Sequence, residues 1–128
     1  MPGPSRSLSQ AADLVRQFNH DTITTGGDWQ YPPHAYDAIG SLAYLVGMLP
    51  QAIEQTMRPV DRTHQDSRVT VDGGRDPQQA VMQLRAAVTD AVHIARLLSA
   101  AVDRMHSAAS PLGLDTRGLA EFDEDGEG

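Results

Sequence analysis

The stretch from Val81 to Met105, VMQLRAAVTDAVHIARLLSAAVDRM, decides how this chain folds. Val81, Leu84, Val88, Ala91, Ala95, Leu98, Val102 and Met105 follow one another at steps of three and four in strict alternation. That repeat keeps one stripe of an α-helix turned toward a partner helix. Beside it runs a second apolar strip, Ala80, Ala87, Ile94, Ala101 and Ala108, at intervals of seven. A helix with two such strips touches two neighbours at once, and the alanines let one of them come close. Its limits are written in the flanks. Asp76 supplies an N-cap carboxylate, Pro77 suits the first helical position, and Ser110-Pro111 ends the run, which places the helix over about 77–109.

Working outward, Gln65 to Arg75 hold Asp, Ser, Gly and Arg around Val69-Thr70-Val71, a triplet too short to build a sheet, so 65–76 reads as a loop. Before it, Tyr36, Ile39, Ala43, Val46, Ile53, Met57 and Val60 repeat the three-four alternation, with Pro50 in the slot between Val46 and Ile53. Tyr31-Pro32-Pro33 opens this second helix, expected over about 33–64. Leu42 and Leu49 widen its stripe, and Gly40, Ala43 and Gly47 offer small surfaces. Pro50 removes one N–H and crowds the carbonyl of Val46, which predicts a bend without a break because the apolar phase continues unshifted. Two long helices of similar length joined by a modest loop predict an antiparallel hairpin. A shorter helix, about 8–20, precedes them: Ser7 to Gln10 has capping-box spacing, Leu8, Ala11, Val15 and Phe18 mark a face, and Thr22 to Thr25 with Gly26-Gly27 end it. The fold class is therefore all-α, a long antiparallel hairpin plus a short N-terminal helix. It forms one domain over 1–117 that becomes a helical bundle when two hairpins dock through the alanine strip. Residues 118–128 read as an acidic disordered tail.

Composition narrows function by exclusion. The 128 residues include ten Arg and no Lys, which suits a GC-rich genome, and the net charge is −7. Glu121, Asp123, Glu124, Asp125 and Glu127 concentrate that charge at the end, leaving 12 acids against 10 bases in residues 1–118. A nearly neutral body has no long-range field to attract DNA or an anionic membrane. Without cysteine there are no disulfides, zinc thiolates or thiol nucleophiles. No stretch approaches the roughly 18 apolar residues of a membrane span, and the first residues lack an apolar leader core, so a cytoplasmic location is expected.

The chemistry-bearing residues are few. Asp61 with His64, Asp90 with His93, and Asp103 with His106 have the helical spacing at which a carboxylate and an imidazole can share a metal. His93 lies opposite the stripe and Asp90, Asp103 and His106 lie off it, so solvated ion pairs are the expectation and no metal site is assigned. No serine sits in a nucleophile elbow, and Gly26-Gly27 and Gly73-Gly74 lack the Lys and Ser/Thr of a phosphate loop. No catalytic residue and no cofactor follow. Trp29, Tyr31, His34, Tyr36 and Asp37 are the distinctive cluster. They read either as an aromatic plug closing one end of the hairpin or as a partner-binding surface, since Trp and Tyr are favoured anchors. Arg58, Arg62, Arg68 and Arg75 are interleaved with Asp61, Asp66, Asp72 and Asp76, a balance that reads as a salt-bridged hinge.

The run Asp28-Trp29-Gln30-Tyr31-Pro32-Pro33-His34, followed by Gly40-Ser41-Leu42 and Leu49-Pro50-Gln51, resembles a pattern in small helical proteins of actinobacteria of uncharacterised function, some in mobile elements. The resemblance covers about a quarter of the chain and carries no catalytic motif. A looser resemblance to small secreted helical hairpins of the Trp-x-Gly type fails on position, because Trp29 precedes the hairpin. The expected function is a non-enzymatic helical interaction or accessory protein, a homodimer with a further protein partner. The competing readings are a small-ligand or metal-binding bundle and a DNA-associated accessory protein.

Overall fold

A computed structural model of the chain describes residues 3–122, which fold as helices and turns with no strand among them. The helices are α1 (Pro4–Asp21), α2 (Pro32–Gln55), α3 (Arg58–Gln65) and α4 (Pro77–Ala109). Two compact units form, one of Met1–Ala35 with Gly113–Gly128 and one of Tyr36–Leu112. No helix among the described residues is long and apolar enough to cross a membrane.

In the second unit, α2 and α3 make one long bent helix that runs antiparallel to α4. Tyr36, Ile39, Ala43, Pro50, Ile53 and Val60 are half-buried and Val46 and Met57 buried, so the stripe read from α2 is the one that packs. The helix passes Pro50 without a break, as expected, and continues to Gln55; an interruption not expected from the sequence comes at Thr56 and Met57. The reason is Pro59, whose missing N–H and ring would oppose the carbonyl of Gln55 in a continuous helix. The chain tightens to meet it: the Thr56 N–H and hydroxyl both donate to the Ile53 carbonyl (3.1 and 2.6 Å), and the Met57 N–H donates to the Glu54 backbone carbonyl (3.1 Å). Met57, 1% exposed, fills the joint and forms the core with Val88 and Val92, flanked by Ile53 and Val60.

α3 ends in a Schellman turn, with Ser67 N–H to the His64 carbonyl (2.9 Å) and Arg68 N–H to the Thr63 carbonyl (3.0 Å). Ser67 occupies the left-handed position, φ 57°, that glycine usually fills. The loop returns through a 3-10 turn at Asp72–Gly74, and the Asp76 carboxylate caps α4 by accepting from the Gln78 N–H at 3.1 Å, with Pro77 in the first turn as its sequence predicts.

The inward face of α4 differs from the expected stripe by a rotation. Val81, Val88, Ala95 and Val102 are buried as anticipated, joined by Val92 and Ala109, but Arg85, Ser99 and His106 stand between them, half-buried, where Leu84, Leu98 and Met105 were expected. Each polar side chain meets something on the facing helix. The Arg85 guanidinium donates to Glu54 Oε2 (2.8 Å) and Asp61 Oδ2 (2.7 Å), bridging α2 and α3; the hydrogen bond to Glu54, with the two negative charges, raises its pKa above the ordinary value. A Cβ built on Gly47 would lie 3.8 Å from the Ser99 hydroxyl, and His106 stacks on Tyr36. Matched polar partners and β-branched Val92 turn the helix about its axis, and a count of apolar residues alone does not register such partners.

In the first unit, α1 begins at Pro4 and not near Ser7. Proline presets the helical φ and has no N–H to leave unpaired, so the Ser7 to Gln10 pair lies inside the helix and not at its cap. The Thr22 hydroxyl donates to the Phe18 carbonyl at 2.8 Å and ends it. Of the stretch 118–128 expected as an acidic disordered tail, residues 118–122 are described and include a 3-10 turn at Ala120–Phe122; residues 123–128 lie outside the described residues.

Candidate interaction surface

Rotation of α4 leaves its most apolar strip uncovered. Leu84, Ala87, Ala91, Ile94, Leu98, Ala101, Met105 and Ala108 continue the three-four alternation about a quarter-turn from the packed face, and none is polar. Ile94 is 62% exposed and Leu98 47%; Leu84, Ala87, Met105 and Ala108 are also exposed, Ala91 and Ala101 half-buried. The strip takes in four of the five residues expected to form the association face, and the fifth, Ala80, is half-buried just before it. It covers roughly 36 Å of helix at about 1.5 Å per residue. Scattered exposed apolar residues need no explanation, whereas a contiguous strip of this length is the kind of surface that interaction sites are built from. Leu97, 58% exposed, borders the strip, with exposed Asp90 and Arg104 on the same edge.

The aromatic cluster is divided between the units. Trp29 is half-buried in the first, set edge-on to Phe18 at 5.4 Å and held in a tight turn in which it exchanges two backbone hydrogen bonds with Gly26 (2.8 and 2.9 Å). Gly26 and Gly27 supply the positive φ that the turn requires. Tyr31 packs edge-on against Phe122 at 5.8 Å and its hydroxyl donates to the Glu121 carboxylate. His34 Nδ1 accepts the N–H groups of Gln30 (3.0 Å) and Tyr31 (3.1 Å), the task of the third-position residue in a capping box, which fixes the ring with Nδ1 unprotonated. Tyr36 and Asp37 belong to the second unit: Tyr36 stacks on His106, and Asp37 is exposed. Phe18 could be anticipated as a partner from its place on the α1 face. Nothing in the sequence pattern pointed to Glu121 and Phe122.

The acid–histidine pairs do not converge. Asp61 is held by Arg85, His64 lies 3.2 Å from the Gln78 amide oxygen, His106 is stacked on Tyr36, and Asp90, His93 and Asp103 are exposed. Among the described residues no three His, Asp or Glu side chains gather as a metal set. An open groove of about 620 Å³ lies between α2 and α4, lined by Gly47, Pro50, Gln51, Glu54, Gln55, Arg58, Val92, Arg96 and Ser99. Its one carboxylate, Glu54, is already bound by Arg85, so it holds no free acid–base pair. Comparison of the chain with protein-family models, with curated proteins and with solved structures returns no match.

Proposed function

We propose that this chain is a non-enzymatic helical interaction protein that self-associates through the outward strip of α4, two hairpins forming a coiled-coil-like four-helix bundle, and that it serves a further protein partner as an accessory or regulator. One observation carries the reading: the strip with no polar side chain faces solvent, while the stripe containing Arg85, Ser99 and His106 is packed. A helix that packs one stripe within its chain and still leaves a second, wholly apolar strip in solvent has a second helix to meet. Cytoplasmic residence belongs to the same proposal and rests on the cysteine-free composition.

Light scattering on the chromatographically separated protein at tens of micromolar tests this. The wild type runs as a dimer, and Ile94→Glu and Leu98→Glu run as monomers with unchanged helical circular dichroism, because both side chains are exposed in the single chain. A wild type that is monomeric and helical at that concentration sinks the proposal.

A further inference from the structure

Resting on that self-association, we infer its geometry: two α4 helices pack antiparallel across a two-fold axis at Arg96 and Leu97, and Asp90 of each copy pairs with Arg104 of the partner subunit. The strip is close to a palindrome in size. Reversed upon itself about position 96, it sets Leu84 opposite Ala108, Ala87 opposite Met105, Ala91 opposite Ala101 and Ile94 opposite Leu98. No position overhangs, the bulky residues at the ends fall on alanines, and the two central bulky residues meet near the axis, which is how facing layers interdigitate. Parallel pairing in register would set alanine on alanine in four of the eight layers, against two in the antiparallel pair, and leave more gaps.

Charge selects the same register independently. Asp90 and Arg104 lie seven residues before and after Leu97 on one edge of the strip, both exposed, and neither joins an ion pair among the described residues. In an antiparallel pair of helices this edge meets its own copy, so Leu97 lies against Leu97 of the partner subunit and both Asp90–Arg104 contacts form at once, symmetry-related. A two-fold contact of this kind requires a self-complementary surface. One edge carrying an acid and a base at equal distances from an exposed leucine is such a surface. In a parallel pair the position opposite Asp90 is Ala95, and no cation meets it.

The test uses Asp90→Arg and Arg104→Asp. Each variant alone places like charges at both contacts, and its dimer dissociation constant rises roughly tenfold at low salt, an effect reduced by added salt. An equimolar mixture of the two restores wild-type affinity through a heterodimer, since one copy then carries arginine at both positions, the other aspartate at both, and opposite charges meet at each end. Single variants that dimerise like wild type, with no gain on mixing, overturn this register while leaving self-association standing; a monomeric wild type overturns the association itself. A second measurement needs no charge change at the paired positions. The chain has no cysteine, so Arg96→Cys and Asp103→Cys each take one spin label. Position 103 separates from its copy by roughly 21 Å along the helix in the antiparallel pair, at about 1.5 Å per residue, and position 96 by almost nothing. A clearly longer distance at 103 is expected, and equal distances overturn the proposal.

Discussion

His106 lies flat on Tyr36, ring centroids 4.4 Å apart and planes 16° from parallel, and the same imidazole closes over Gly40, where an added Cβ would stand 3.2 Å from Nε2. Alanine is preferred to glycine in a helix interior by about 1 kcal/mol. That gain is cancelled at Gly40 while the stacked ring holds its place. Gly40→Ala therefore leaves stability nearly unchanged in the wild type and raises it by about 1 kcal/mol in a His106→Ala background. A urea-denaturation double-mutant cycle reads the difference, and equal effects in both backgrounds would show that the ring gives way freely.

Met57 fills the joint between α2 and α3, buried against Val88 and Val92. Truncation to alanine leaves a cavity where the two helix segments and α4 meet. Met57→Ala is expected to cost about 2–4 kcal/mol, and Met57→Leu under about 1.5. Chemical denaturation with the two variants side by side checks both the size and the order.

Ser67 carries a left-handed φ at the end of α3 while its N–H and that of Arg68 close the turn. The Cβ is a liability there and the hydroxyl is not needed for the two hydrogen bonds. Ser67→Gly should raise stability by about 0.5–1 kcal/mol, and Ser67→Val should lower it by at least as much. The melting temperatures of the two variants move in opposite directions if the turn has this form.

Trp29 is half-buried and set against Phe18. An aromatic pair of this geometry contributes about 0.5–1.5 kcal/mol beyond the area it covers. Trp29→Ala is thus expected to destabilise by about 2 kcal/mol, and Phe18→Leu by less. Intrinsic fluorescence follows the single Trp directly: its emission in the native protein is blue-shifted from that of the unfolded chain, and Phe18→Ala moves it toward the red.

Asp115 accepts from the Arg117 guanidinium at 2.9 and 2.6 Å and from the Arg117 backbone N–H at 3.1 Å, and these hydrogen bonds, the side-chain ones foremost, hold its carboxyl below the ordinary aspartate pKa. A depressed carboxyl contributes to stability above its unfolded pKa and loses that contribution as pH falls through the folded one. The pair is exposed, so the effect is local and confined to acid. A carbon-detected NMR titration should find the Asp115 midpoint below the usual value of about 3.9, and Arg117→Ala should return it most of the way.

The helices were legible in the sequence because they rest on periodicity and caps. Asp76-Pro77 begins α4 where expected, and the α2 stripe from Tyr36 to Val60 is the packed one. Three things were less visible, each for a physical reason. Pro50 was expected to bend the helix without breaking it, and α2 does run unbroken through it; what escaped notice was Pro59, which ends the regular ladder at Gln55 and leaves Thr56 and Met57 to tighten onto Ile53 and Glu54. The inward face of α4 was read from apolar residues alone, although Arg85, Ser99 and His106 pack there by meeting Glu54, Asp61, Gly47, Gly40 and Tyr36, pairings between distant positions that no single-helix pattern contains. The cluster from Trp29 to Asp37 is contiguous in the chain and divided in the fold, since Tyr36 turns to α4 while His34 serves the start of its own helix.

The polar residues of the packed seam have a further consequence. Arg85, Ser99 and His106 stand one or two heptads apart on α4, and the groups that receive them, Asp61, Gly47 and Gly40, have matching intervals on the opposite arm. A purely aliphatic seam could slide by seven residues with little penalty, because valine meets valine again. Here such a slide toward the loop would set Val92 against Asp61 and bring the imidazole onto Gly47 without its tyrosine, so the two glycines and the aspartate act as notches that index one arm of the hairpin against the other. The device gives up some apolar area to obtain a single alignment, and it does so on the side where both arms belong to the same chain.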